Sequence, residues 1–98
     1  MKKEIAILGS TGSIGKTLVD IVNQYPNNFK IKLLTANKDY KTLLKQAKKF
    51  NVKNLIITNH TSYMKIQKEC KKRKIKIFKD FSCLKKIFKK RINYTMSA

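Results

Sequence analysis

Ile7-Leu8-Gly9-Ser10-Thr11-Gly12-Ser13-Ile14-Gly15-Lys16-Thr17 (ILGSTGSIGKT) decides the fold, because two phosphate-binding turns overlap in it and imply different architectures. Its right-hand end, Gly15-Lys16-Thr17, is the tail of a nucleoside-triphosphate loop. That loop requires a glycine, four residues, then Gly-Lys-Ser/Thr, so that backbone N–H groups wrap the phosphates and the lysine reaches the terminal ones. Counting back from Gly15, the required glycine falls on Ser10, and Gly9 is one residue too far away. A triphosphate site also needs an acid at the end of another strand to hold magnesium. The best candidate strand, residues 54–58, runs instead into Asn59 and His60.

The left-hand reading survives. Gly9, Gly12 and Gly15 have the spacing G-x-x-G-x-x-G, a widened form of the dinucleotide turn, whose glycines allow a tight bend, close approach to a pyrophosphate and close helix-to-strand packing. The context agrees with it. Residues 3–8 are apolar enough for a strand buried on both faces, and the run stops at Gly9. From Ser13, Ile14, Leu18, Ile21 and Val22 recur at helical spacing, until Pro26 and two asparagines close the segment. A helix starting there points free N–H groups and the positive end of its dipole at a bound anion.

Working outward, residues 29–35 (FKIKLLT) predict a second strand, and Ala36-Asn37-Lys38-Asp39 a loop in which Asp39 can cap the next helix. Tyr40, Leu43, Leu44, Ala47 and Phe50 carry that helix, and residues 54–58 (NLIIT) a third strand. Tyr63, Ile66 and Cys70 suggest a helix to about residue 73, and residues 75–78 a short strand. Leu84, Ile87 and Phe88 mark a further helix, with Asp80 or Ser82 as its cap, and residues 93–98 one more strand. Alternating strands and helices predict an α/β fold: a Rossmann-like, doubly wound, mostly parallel sheet with helices on both faces. A last strand with no helix after it to cover its face reads as a chain cut short.

The end of the second strand separates the dinucleotides. An NAD site places an acid there for the ribose 2′-hydroxyl, whereas an NADP site places polar or basic groups for the 2′-phosphate. Here Lys38 is available as the phosphate partner, which favours NADPH, provided that the Asp39 carboxylate is turned away as a helix cap.

Composition bounds the remainder. Ninety-eight residues suit one small domain, with a hydrophobic share of 42% typical of a globular chain. No apolar run is long enough to span a bilayer, and no signal-peptide core is present, so a cytoplasmic protein without a membrane partner is expected. Cys70 and Cys83 with a single histidine, His60, form neither a redox pair nor a zinc set, and two reduced cysteines are expected. The net charge of +19, from 24 Lys and Arg against five acids, would attract a nucleic-acid backbone. However, the lysines are spread over every segment and no aromatic residues interleave with them as a stacking platform. They read as solvated faces.

These residues resemble the N-terminal NADPH-binding domain of the 1-deoxy-D-xylulose 5-phosphate reductoisomerase family. GSTGSIG at residues 9–15 matches that family's opening signature, and Ala36-Asn37-Lys38-Asp39 is similar to its A-G/N-K-N turn, with Asp39 where Asn is usual. Leu44-Lys45-Gln46-Ala47 with Phe50 is similar to its second helix, and Tyr94-Thr95-Met96-Ser97-Ala98 to the strand it continues as A-I-x-G. The resemblance implies that Thr11, Gly12, Ser13 and Ile14 bind the pyrophosphate of NADPH, and Asn37, Lys38 and Asp39 its adenosine end. It further implies a homodimeric enzyme that rearranges 1-deoxy-D-xylulose 5-phosphate, a phosphorylated sugar, and reduces the product with NADPH to 2-C-methyl-D-erythritol 4-phosphate. That step belongs to non-mevalonate isoprenoid biosynthesis and uses Mg, Mn or Co as divalent metal. The five acids, Glu4, Asp20, Asp39, Glu69 and Asp80, are scattered, so no catalytic or metal residue is assigned. Residues 1–98 are expected to be this cofactor domain, incomplete at its C-terminal end and inactive alone. Two alternatives stay open: another NAD(P)-dependent oxidoreductase with a GxxGxxG turn, such as an aspartate-semialdehyde dehydrogenase relative, and a basic nucleic-acid-binding module. A remnant of a truncated gene is a third.

Overall fold

The computed structural model describes residues 3–83 and the backbone of residues 94–97. Its elements follow the chain as β1 (Lys3–Leu8), α1 (Ser13–Asn23), β2 (Phe29–Ala36), α2 (Tyr40–Phe50), β3 (Asn54–Ile57), α3 (His60–Lys72), β4 (Lys76–Phe78) and β5 (Tyr94–Ser97), with a single 3₁₀ turn at Phe81–Cys83. The strands form one five-stranded sheet in the order β4-β3-β2-β1-β5, and every neighbouring pair is parallel. The helix expected around residues 84–90 lies outside the described residues.

That order has a functional consequence. From β1 the chain moves outward through β2, β3 and β4, and then returns to the other side of β1 for β5. The direction reverses at β1, and such a switch point opens a crevice beyond the carboxyl ends of the strands. The glycine turn follows β1 directly.

Strand β1 is buried on both faces as its apolar run requires: Ile5 and Ile7 enter one cluster and Ala6 the other. Val19 and Val22 of α1, Leu43 and Ala47 of α2, and Ile66 and Cys70 of α3 all join the cluster of Ile5 and Ile7. The three described helices therefore pack on one face of the sheet, as successive crossovers in one direction place them. The opposite cluster, Ala6, Leu33 and Ile56 with Phe78, is made of strand residues alone.

Strand β2 departs from simple alternation. Ile5 pairs with Ile31 but Ala6 with Leu33, so Lys32 is an extra residue opposite β1. The bulge lets Ile31 and Leu34 face the same cluster although they are three apart. The Asn54 side-chain amide donates to the Lys32 carbonyl at 3.2 Å, and Lys32 pairs with Glu4 at 3.1 Å.

Helix α1 also corrects the sequence pattern. Ile14 and Ile21, 65% and 46% exposed, point to solvent, whereas Gly15, Val19 and Val22 are the buried positions. The cause is Gly15, which must face the turn. Fixing it inward rotates the buried stripe one residue from the one the isoleucines suggest.

Candidate functional site

Four features build the turn. Gly9 has φ 70°, the left-handed conformation that a side chain resists, and it redirects the chain away from the sheet. Its N–H donates to the Thr35 hydroxyl at 2.8 Å, and the Ser10 N–H to the Thr35 carbonyl at 2.9 Å, so the end of β2 holds the bend. Gly15 makes the close packing: a Cβ there would collide with the Gly9 carbonyl oxygen and lie 2.6 Å from Ser10 Cα. Gly12 is the N-cap of α1 and offers its first turn no side-chain hydrogen bond.

Gly12 differs from the other two glycines. Its backbone, at φ −76° and ψ 173°, is open to any residue, and an added Cβ would meet only Gly9 O, at an ordinary 3.7 Å. Nothing inside the fold requires glycine there. A serine, threonine or aspartate would instead stabilise the helix by about 1 kcal/mol as a cap. A bare N-cap leaves the first-turn N–H groups available to an external anion.

A depression of about 400 Å³ opens at this point, lined by Gly9, Thr11, Gly12, Ser13, Ile14, Ala36 and Asn37. All four expected pyrophosphate residues thus meet the first residue of the expected adenosine turn in one recess. Lys38 and Asp39 do not line it. They are exposed and follow Asn37 along the chain.

The second turn is fastened by residues that sequence reading did not single out. The Asn59 N–H donates to the Asn37 carbonyl at 3.0 Å, and the Thr58 hydroxyl to Asn37 Oδ1 at 2.8 Å. The Lys38 carbonyl accepts from the Ser62 hydroxyl at 2.9 Å and from the Tyr40 N–H at 2.7 Å. Asp39 is the N-cap of α2, its Oδ1 accepting from the Thr42 N–H at 3.1 Å. Its carboxylate is committed to the helix, as an NADP reading requires. Asn59 caps α3 in the same way, through the Ser62 N–H at 3.0 Å.

The triphosphate reading loses its residues too. Lys16 lines a separate groove between α1 and α2, beside Asp20, Lys45 and Lys49, and the Thr17 hydroxyl folds back on the Ser13 carbonyl at 3.1 Å. Neither faces the recess.

Other candidate chemistry is sparse. Among the described residues no three His, Cys, Asp or Glu side chains group to hold a metal ion. Cys70 is buried and unbridged. Burial, reinforced by the Glu69 carboxylate and opposed by the Lys48 ammonium, raises its thiol above the ordinary range, which suits a packing residue and not a nucleophile. Asp80 is held below the usual carboxylate range by hydrogen bonds from the Ser82 hydroxyl and N–H, a local turn. No described helix is long and apolar enough to cross a membrane.

Comparison with known proteins adds an independent line. The family model of 1-deoxy-D-xylulose 5-phosphate reductoisomerase matches residues 5–98. The chain is 51% identical over 98 residues to the 1-deoxy-D-xylulose 5-phosphate reductoisomerase of Pelagibacter ubique, covering 98% of this chain and 25% of that protein. Among solved structures, the reductoisomerase of Zymomonas mobilis in complex with NADPH superposes with a TM-score of 0.72 at 26% identity, over 79% of this chain and 20% of that one. A DOX-P reductoisomerase solved with fosmidomycin and magnesium gives 0.70 at 28% identity, over 76% and 19%. The chain thus spans about a quarter of the length of the curated relative it matches.

Proposed function

The chain belongs to the 1-deoxy-D-xylulose 5-phosphate reductoisomerase family, and on that premise we propose that its residues 1–98 are the N-terminal NADPH-binding part of such an enzyme. Thr11, Gly12, Ser13 and Ile14 hold the pyrophosphate, and Asn37, Lys38 and Asp39 surround the adenosine end, with Lys38 as the partner of the 2′-phosphate. The observation that carries this reading is Gly12: a glycine that the fold does not need, at the bare N-cap of α1, on the floor of a recess shared with Asn37.

Each residue has a physical role. The N–H groups of the first turn of α1 donate to pyrophosphate oxygens, and the helix dipole adds to the attraction. The Thr11 and Ser13 hydroxyls supply further donors. Lys38 supplies a cation beside the ribose, and the capping role of Asp39 keeps its carboxylate from opposing the phosphate. Exposed Ile14 gives the dinucleotide an apolar edge to lie against. NADPH, when bound, supplies the hydride that reduces the rearranged aldehyde to 2-C-methyl-D-erythritol 4-phosphate.

The described residues do not fit the divalent metal of the reaction, since no acidic cluster forms among them. Metal, sugar phosphate and catalytic residues fall to the remaining length of the full enzyme, which we take to be a cytoplasmic homodimer. The chain alone is inactive toward 1-deoxy-D-xylulose 5-phosphate in this reading.

Titration with NADPH and with a 20-nucleotide single strand, each at low and moderate salt, tests the proposal against the net charge of +19. A saturable NADPH site that persists at moderate salt, while strand binding collapses, is expected. No saturable NADPH binding, with a strand affinity that dominates, would overturn it.

A further inference from the structure

Behind the glycine turn lies a buried polar group that no phosphate contact explains. Ser10 is 0% exposed and Gln46, on the inner face of α2, is 8% exposed. The Gln46 amide Nε2 donates to the Ser10 carbonyl at 2.8 Å, and its Oε1 accepts from the Ser10 hydroxyl at 2.8 Å. A carbonyl can only accept, so the first bond fixes which way the amide faces, and the second follows from it. The carbonyl and the hydroxyl of one turn residue thereby meet one side chain 36 positions away, while its N–H is held by Thr35.

We propose that Gln46 is a positioning residue for the pyrophosphate cradle, acting through Ser10. Ser10 immediately precedes Thr11 and Gly12. Without the amide, its carbonyl would be stranded in the core and its hydroxyl left with only the long contact to the Thr35 carbonyl at 3.4 Å, a cost that an outward movement of Ser10 toward water relieves. That movement carries Thr11 and Gly12 out of register with the first turn of α1. The adenosine turn is insulated from this: its fastenings come from Thr58, Asn59, Ser62 and the Asp39 cap, and none passes through Gln46. The inference rests on the NADPH reading and makes a demand that a merely structural role does not, namely that one half of the dinucleotide site loosens and the other does not.

The test is calorimetric titration of the 98-residue chain with NADPH and, separately, with adenosine 2′-monophosphate, which carries the adenosine end without either phosphate of the pyrophosphate. Gln46→Leu is expected to weaken NADPH about tenfold, and Ser10→Ala, which keeps the amide-to-carbonyl bond, about threefold, with the monophosphate within about twofold for both. Equal loss of both ligands, or no loss of NADPH, would overturn the proposal. Should Gln46→Leu lose the helical dichroism of the wild type, the same split or its absence in Ser10→Ala decides. A wild-type chain that binds neither ligand would remove the cofactor reading itself, and this inference with it.

Discussion

The two turns that meet in the recess are held in opposite ways. The glycine turn, residues 9–15, is fastened from inside by Thr35 and Gln46, with Ser10 fully buried and two of its three glycines imposed by backbone geometry and packing. The turn at residues 37–39 is exposed and fastened from its flank by the start of α3 and by its own cap. A pyrophosphate needs N–H groups in fixed directions, and a rigid, buried scaffold supplies them. In the proposed reading the 2′-phosphate needs a cation, which Lys38 on the exposed turn would supply.

Substitutions at the glycines break this contrast hardest. Gly15→Ala, despite the helix preference of alanine, drives a methyl into the Gly9 carbonyl and the Ser10 backbone, so a loss of about 2 kcal/mol or more is expected in denaturant unfolding. Gly12→Ala meets only an ordinary contact and should leave stability within about 1 kcal/mol while weakening NADPH about tenfold or more. If Gly12→Ala bound NADPH as the wild type does, the distinction between a structural and a ligand-facing glycine would fail.

The exposed turn should respond more gently and more selectively. Lys38→Ala is expected to weaken NADPH about tenfold and leave NADH nearly unchanged, the gap narrowing as salt rises. Asp39→Ala should cost about 1 kcal/mol of stability through the lost cap, whereas Asp39→Asn keeps the cap and holds NADPH at least as well. Thermal unfolding together with paired titrations of the two dinucleotides checks both.

The same contrast explains what the sequence disclosed. Glycine spacing, the apolar run of β1 and the Asp39 cap are local signals, and the structure places each where the sequence put it. Gln46 gives no such local signal. On the apolar face of a helix, a glutamine carries no sign of the carbonyl it will meet across the fold. Thr58 and Ser62 look like ordinary strand-end and first-turn residues for the same reason. The bulge at Lys32 was hidden because register belongs to a pair of strands and not to either one. Ile14 misled in a useful direction: hydrophobic spacing counted it toward the core, while the inward face was set by Gly15, which a hydrophobicity count ignores.

The most direct measurement is the amide ¹H–¹⁵N spectrum of the chain titrated with NADPH. The account predicts saturable shifts concentrated at Thr11 to Gly15 and at Asn37 to Asp39, with Lys45 and Lys49 in the groove between α1 and α2 unmoved. Shifts spread over the lysine faces, with the glycine turn silent, would contradict it.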